Sequence, residues 1–166
     1  MEEKDFRKQI MSSHRLLVAI MRLVRGRRNP NGHLPGLGLL KLISMHERVR
    51  RLIVSIGAIP QLVESIAFLN AECLELVLFI LDVLSSVPEE RRASLDCSNT
   101  IPYLVILLVR ISERCTEYAL SVLWSVCKLC PEECALRAID AGLAAKLLLV
   151  IQSVAGPHSS NGLPSY

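Results

Sequence analysis

The chain has 166 residues and is 51% hydrophobic but only 4% aromatic, so leucine, isoleucine and valine carry most of its apolar content. This composition is too apolar for a disordered chain, and no uncharged apolar run reaches the roughly 18–20 residues that a membrane-spanning helix needs. Residues 1–51 carry a net charge of +8 and residues 52–166 a net charge of −5; because no aromatic residues stand among the arginines of 22–28, we favour a solvated helix end there over a nucleic-acid or phosphoinositide site.

The first 46 residues predict an irregular helical unit. Residues 1–13 are typical of a helical lead-in, and residues 14–46 of a degenerate repeat with helices at 16–24 and 37–45. The Gly-, Pro- and Asn-rich segment 26–36 predicts a long mobile loop between those helices. The acidic start lacks the apolar stretch of a secretory signal, so we expect reduced cysteines and a location in the cytoplasm or nucleus.

A repeat of about 42 residues follows. The stretch "IGAIPQLV" at residue 56 recurs as "SNTIPYLV" 42 residues later, and "AGLAAKLLLVI" follows after another 43 residues. Gly57, Asn99 and Gly142 share one position of the repeat, where we predict a left-handed turn between two helices. Segments 82–91 and 125–134 also match, and the apolar positions that lead into them follow the spacing of one helix face.

Each unit therefore predicts three helices. A short first helix precedes the shared turn, and second helices cover about 59–69, 101–112 and 143–153. Longer third helices cover about 72–87 and 115–130. The units span 47–87, 88–130 and an incomplete 131–153, with 154–166 as a flexible tail. A three-helix unit of this period predicts an all-α, armadillo-type, right-handed superhelical solenoid, in which each unit buries its apolar faces against its neighbours.

The sequence of the repeats resembles one known family. "IGAIPQLV", "SSVPEERRASLDCSNTIPYLV" and "AIDAGLAAKLLLVIQS" are similar to the C-terminal armadillo region of plant U-box ubiquitin ligases, over roughly residues 14–153. In that family the U-box recruits the ubiquitin-conjugating enzyme, and the armadillo region binds substrates or regulatory partners. The sequence has no segment like the family's Cys-Pro-Ile start with its downstream Asp-Pro-Val. The resemblance thus implies a protein-interaction module of ubiquitination that lacks ligase activity of its own.

Three other functions stay open from the sequence. The first is an armadillo scaffold unconnected with ubiquitin, and the second is the basic nucleic-acid or phosphoinositide binder. The third is an enzyme, which has little support. The four histidines are not spaced as metal ligands, and the Glu89-Glu90 and Glu132-Glu133 pairs suit the first turn of a helix. No phosphate-binding loop is present. We expect no catalytic, cofactor-binding or metal site.

The resemblance also predicts where a partner binds. Armadillo third helices line a groove, and members that import nuclear cargo hold an extended peptide there with Trp and Asn four residues apart. Here Trp124 matches the Trp but Lys128 replaces the Asn, so we do not expect import-type recognition. Trp124 is either a binding hot spot or packed between repeats. The predicted groove residues are Leu78, Leu81, Asp82, Ser85, Glu117, Ser121, Trp124 and Lys128.

Two further predictions concern the C-terminal part. The unit 131–153 has no third helix of its own, so we expect either a truncated or fragmentary chain, or self-association or a second partner at this end. The stretch "SVCKLCPEEC" holds three cysteines that align with Leu84, Val87 and Arg91. We therefore predict that the first two, Cys127 and Cys130, are buried core residues and that Cys134, at a position that is elsewhere polar, is an exposed thiol.

Overall fold

The structure, a computed structural model, describes residues 2–156, with side chains from residue 13 onward. That part of the chain folds into ten α-helices and contains no strand, which confirms the all-α prediction. The helices are α1 (Glu2–Arg25), α2 (His33–Ser44), α3 (Glu47–Ser55), α4 (Ala58–Ser65), α5 (Ala71–Leu84), α6 (Pro88–Asp96), α7 (Thr100–Leu107), α8 (Glu113–Cys127), α9 (Pro131–Asp140) and α10 (Leu143–Ala155). Most of the predicted tail, from residue 157 on, lies outside the described residues.

The helices stack as repeated units. Helices α3, α4 and α5 form one three-helix unit and α6, α7 and α8 the next, whereas α1 with α2, and α9 with α10, form partial units before and after them. The third helices lie side by side, because α5 packs against both α2 and α8. One apolar core runs through the stack and includes Leu40, Leu62, Leu81, Leu104 and Val126, all fully buried. Among the described residues, no helix is long and apolar enough to cross a membrane.

The first unit differs from the prediction. Helix α1 runs without a break through the predicted lead-in, and α2 begins at His33, so the prediction of a loop over 26–36 is wrong for its last four residues. Pro35 does not prevent this start, because a proline in the first turn lacks only an N–H that would have no partner within the helix. The His33 ring also fixes the start, since its Nε2 lies 3.1 Å from the Gly26 carbonyl oxygen.

Side-chain caps set the start of the third helices. The Asn70 side chain accepts a hydrogen bond of 2.9 Å from the N–H of Cys73, and the Ser112 hydroxyl accepts one of 3.1 Å from the N–H of Cys115. Each cap satisfies a backbone donor that has no partner within the helix. The second helices α4 and α7 end four and five residues earlier than predicted, and turns connect them to the third helices.

The turns between first and second helices are of two kinds. Gly57 and Gly142 adopt the predicted left-handed conformation, with φ of 71° and 82°. The same prediction is wrong for Asn99, whose φ is −85° and ψ −11°. Here Cys97 leaves α6 in an extended conformation, and the Thr100 N–H donates a 3.1 Å hydrogen bond to the Cys97 carbonyl. That turn needs no left-handed residue.

Equivalent arginines join the first helices α3 and α6 to the ends of the third helices α2 and α5. Arg50 Nε donates to the Ser44 carbonyl at 2.9 Å, and Arg91 Nε donates to the Ser85 carbonyl at 2.8 Å. Cys134 holds this position in the last unit. Its thiol is fully buried and contacts the carbonyl oxygen of an earlier α8 residue at 3.7 Å. The position therefore faces the stack in all three units. An arginine is long enough to place its guanidinium group at the end of the preceding third helix, whereas the short cysteine stays buried.

The predicted burial of the three cysteines is therefore corrected. Cys134, predicted to be exposed, is buried, and that burial raises the pKa of its thiol to about 12. Cys127 and Cys130 pack against the core as predicted, but both remain half-buried. All six cysteines are free thiols.

Candidate interaction surface

Side chains from all three third helices meet on one solvent-facing surface. At its centre is Phe79 of α5. The Lys41 ammonium of α2 lies 4.7 Å from the centroid of the Phe79 ring, and the Tyr118 ring of α8 packs edge-on against it with centroids 5.6 Å apart. One turn earlier, the Arg114 guanidinium of α8 lies 3.9 Å from the Glu75 carboxylate of α5. We call this half-exposed surface of α2, α5 and α8 the third-helix face.

The predicted groove row on α5 lies elsewhere. Leu78 and Leu81 are fully buried and Ser85 is buried, so the prediction that these three residues line a groove is wrong. Each residue of the solvent-facing row, Glu75, Phe79 and Asp82, is one residue along the helix from a buried residue, so the two rows lie on adjacent faces of α5. The physical reason is that α5 has a neighbouring third helix on each side, which turns the leucine row into the stack. Asp82 alone among the predicted α5 residues is half-exposed on the third-helix face.

The matching row on α8 is open. Glu117, Ser121 and Lys128 are exposed, and Trp124 is 65% exposed, so the tryptophan is not packed between the repeats that the structure describes. The Lys128 ammonium lies 4.9 Å from the centre of its ring system. These residues align with the buried leucine row of α5, but within residues 2–156 no third helix packs on the far side of α8.

Helix α10 extends this open end. It has no fully buried residue, and it exposes apolar side chains at Leu148, Leu149, Ile151 and Val154. An apolar surface of this kind, rimmed by polar residues, typically marks a site of protein contact. The open end therefore consists of the exposed α8 row and the apolar side of α10.

One buried carboxyl was missed by the sequence interpretation. Glu90 is fully buried in α6, where it accepts a 2.6 Å hydrogen bond from the Ser94 hydroxyl, and its second oxygen has no partner. Burial is the main cause that raises the pKa of this carboxyl to about 7. The equivalent Glu133 is exposed and pairs with Arg137 at 2.6 Å. The signal in the sequence is the partner four residues on, which is serine in one unit and arginine in the next.

The described residues form a cavity but no cluster of metal-ligating side chains. Among the described residues, no group of three or more His, Cys, Asp or Glu side chains is placed to hold a metal ion. A cavity of about 480 Å³ lies at the starts of α2 and α5, lined in part by Arg27, His33 and Phe68. The Arg27 guanidinium already stacks 4.8 Å from the Phe68 ring centroid.

Comparisons with known proteins agree with this architecture. The family model for the ARM repeat region of plant U-box proteins matches residues 1–160. The chain is 61% identical to U-box domain-containing protein 30 of Arabidopsis thaliana over 152 residues, which is 92% of this chain and 34% of that protein. It is 58% identical to U-box domain-containing protein 75 of Oryza sativa subsp. japonica over 95% of this chain and 35% of that protein. The chain thus spans about a third of the length of these relatives.

Proposed function

Because the chain belongs to the ARM repeat family of plant U-box proteins, we propose that its third-helix face binds a substrate or regulatory partner of protein ubiquitination. The observation that carries this proposal is the contact of Lys41, Phe79 and Tyr118 across three helices. It forms a continuous half-exposed surface that no described helix covers. A protein-interaction role fits this family, in which the armadillo region is part of larger proteins that contain a U-box domain.

The distribution of aromatic residues supports this surface. The sequence has only seven Phe, Trp and Tyr residues, and two of them, Phe79 and Tyr118, lie on the third-helix face. A third, Trp124, lies on the open end. Aromatic side chains supply a large contact area with few rotatable bonds, and they are enriched among the residues that dominate binding energy.

The test is capture of partners from a plant extract with the immobilised chain and two variants of the third-helix face, Phe79→Ala and Tyr118→Ala. We expect the wild-type chain to retain proteins that both variants lose. Ile106→Ala is the matched control, because Ile106 is an exposed apolar residue of a second helix, away from the third-helix face. The same set of bound proteins with all four chains would contradict the proposal.

The link to ubiquitination is tested separately. We propose that the chain engages partners of its U-box relatives and needs a U-box on another protein, or elsewhere in a longer one, for ubiquitin transfer. The support is the length of those relatives, about three times the matched segment. With purified E1, E2 and ubiquitin, we expect no self-ubiquitination by this chain alone, and ladder formation would overturn this part. The six free thiols suit the reducing cytoplasm or nucleus, which tagging in plant cells would test.

The open end is a second surface for contact. On α5, the row equivalent to Trp124 and Lys128 is buried in a stack with another third helix. We propose that a second copy of the chain covers the open end with an apolar helix of its own. Analytical ultracentrifugation over a range of concentrations tests this, with Trp124→Glu expected to reduce association. A monomer at all concentrations, without binding of a hydrophobic dye, would contradict it.

A further inference from the structure

We propose that Cys127 and Cys134 form a site of reversible oxidation, at which hydrogen peroxide closes a disulfide bond between the end of α8 and the start of α9. The inference goes beyond the proposed function and does not depend on where a partner binds. It rests on the contact between the two thiols and on the place in the stack where they meet.

The two thiols contact each other. Cys127 is the last residue of α8, and Cys134 lies near the start of α9. The Cys134 sulfur is 3.7 Å from the Val126 carbonyl oxygen, to which its S–H can donate, and it is also within hydrogen-bonding distance of the Cys127 sulfur. Two thiols in direct contact can be bridged without a large movement of the backbone.

The thiol pair lies where the earlier units have an arginine link. Arg50 and Arg91 hold the first helices α3 and α6 to the carbonyl oxygens at the ends of α2 and α5. Cys134 occupies the same position at the joint between α8 and α9, and a cysteine is too short to make that hydrogen bond. At the joint between α5 and α6, the two residues equivalent to the thiol pair are Leu84 and Arg91. A disulfide would therefore give the last joint a covalent link in place of the arginine link.

Exposure and hydrogen bonding set the order of reaction. Cys127 is half-buried, so a small oxidant can reach it, whereas Cys134 is fully buried. Burial raises the pKa of both thiols, but the hydrogen bond from Cys134 opposes this rise at Cys127. That bond favours Cys127 as the thiolate of the pair, and the thiolate is the form that attacks a peroxide. Cys127 therefore reacts first, and Cys134 is the resolving thiol.

The oxidation balances with one molecule of hydrogen peroxide. The Cys127 sulfur attacks a peroxide oxygen, the O–O bond breaks, and the products are the Cys127 sulfenic acid and one water. The Cys134 sulfur then attacks the sulfenic sulfur, the S–O bond breaks, and the hydroxyl leaves with the Cys134 proton as a second water. The two thiols have together lost two electrons to the peroxide. A dithiol reductant reverses the reaction by exchange, as a transient disulfide in a reducing compartment requires.

The disulfide should stabilise the partial unit of α9 and α10. Helix α10 has no fully buried residue, whereas α9 buries Cys134 and Ala138. Helix α9 therefore attaches this unit to the stack, and α10 packs against α9. A covalent link between α9 and α8 makes local opening of the unit less favourable. The oxidation would thus act on the part of the stack that carries the open end.

The site is tested by disulfide mapping. The full, reduced chain is treated with hydrogen peroxide, the remaining thiols are alkylated, and tryptic peptides are analysed by mass spectrometry without reduction. Trypsin separates residues 115–128 from residues 129–137, so the disulfide joins two peptides. We expect this linked pair, with fragmentation that places the bond between Cys127 and Cys134 and leaves Cys130 alkylated.

Two cysteine variants test the assignment. Cys127→Ala should lose the linked pair. Cys130→Ala is the matched control, because Cys130 is also a half-buried cysteine of this stretch, and it should keep the linked pair. The fragmentation of the wild-type peptides decides the site even if circular dichroism shows that Cys127→Ala does not fold.

Amide hydrogen exchange of the same samples measures the effect on the fold. Oxidation should slow exchange in α9 by about tenfold in the wild-type chain and in Cys130→Ala, and dithiothreitol should reverse this. Exchange in Cys127→Ala should not respond to peroxide. The absence of a disulfide, a linked pair that persists in Cys127→Ala, or a bond through Cys130 would overturn the inference. So would a closed disulfide that leaves exchange in α9 unchanged.

Discussion

Replacing the buried Glu90 by glutamine should make the fold less sensitive to pH. The glutamine keeps the size of the side chain and a partner for the Ser94 hydroxyl, but it removes the ionisable group. Burial raises the pKa of Glu90 from 4.5 to about 7 in the folded chain. Between these two values the folded state binds the proton more tightly than the unfolded state, so the free energy of unfolding falls as the pH rises.

The size of the effect follows from the difference between the two pKa values. A tenfold change in an acid dissociation constant corresponds to about 1.4 kcal/mol, so ionisation of Glu90 costs the folded state on the order of 3 kcal/mol above pH 7. We therefore expect Glu90→Gln and the wild-type chain to have similar stability near pH 4.5. At about pH 8 the variant should be more stable by on the order of 3 kcal/mol. The assay is urea unfolding followed by circular dichroism at several pH values.

The equivalent residue of the next unit is the control. Glu133 is exposed and pairs with Arg137, so Glu133→Gln should lose at most about 1 kcal/mol and gain nothing as the pH rises. A stability difference between Glu90→Gln and wild type that stays constant from about pH 5 to pH 8 would refute the argument. Destabilisation by Glu90→Gln at high pH would refute it as well.

Three more changes test single contacts. Arg91→Met removes the hydrogen bond to the Ser85 carbonyl at the end of α5, so urea unfolding should show a free energy of unfolding lower by about 1–3 kcal/mol. The control Arg92→Met breaks only an exposed ion pair and should lower the same quantity by less than about 1 kcal/mol. Val109 is a β-branched residue at a φ of 64°, and asparagine tolerates this conformation better. Val109→Asn should therefore raise the free energy of unfolding by about 1 kcal/mol, and a loss of thermal stability would contradict this. In alkylation mapped by mass spectrometry, Cys130 should react well before Cys134, whose thiol is buried with a pKa of about 12, and the reverse order would contradict the burial of Cys134.

The repeat was predictable because its signals are local. Three signals lie within one unit: the 42-residue offset, the helix-face spacing of apolar residues and the turn glycines. Together they indicate a repeat of three helices. The start of α2 was missed because a proline in a Gly- and Asn-rich stretch fits a loop and a first helical turn equally well. Only the contact of His33 with the residues after α1 decides between them.

The candidate site was harder to predict, because it depends on which side of a helix its neighbours cover. Helix α5 is apolar around most of its circumference, so its sequence cannot show that Leu78 and Leu81 face the stack while Phe79 faces solvent. Trp124, at the position that aligns with Leu81, reaches the surface because nothing described packs beyond α8. The prediction for Cys134 failed for a related reason. The arginines at its position are half-buried and use their polar ends to reach the end of the preceding third helix.

The most direct test of the third-helix face is site-specific photo-crosslinking. A benzophenone amino acid replaces Phe79 in one chain and Ile106 in another, and both are irradiated in the same plant extract. We predict a crosslinked partner from position 79 and none from position 106. Crosslinking from position 106 alone, or the same products from both positions, would contradict the claim that the third-helix face is the binding surface.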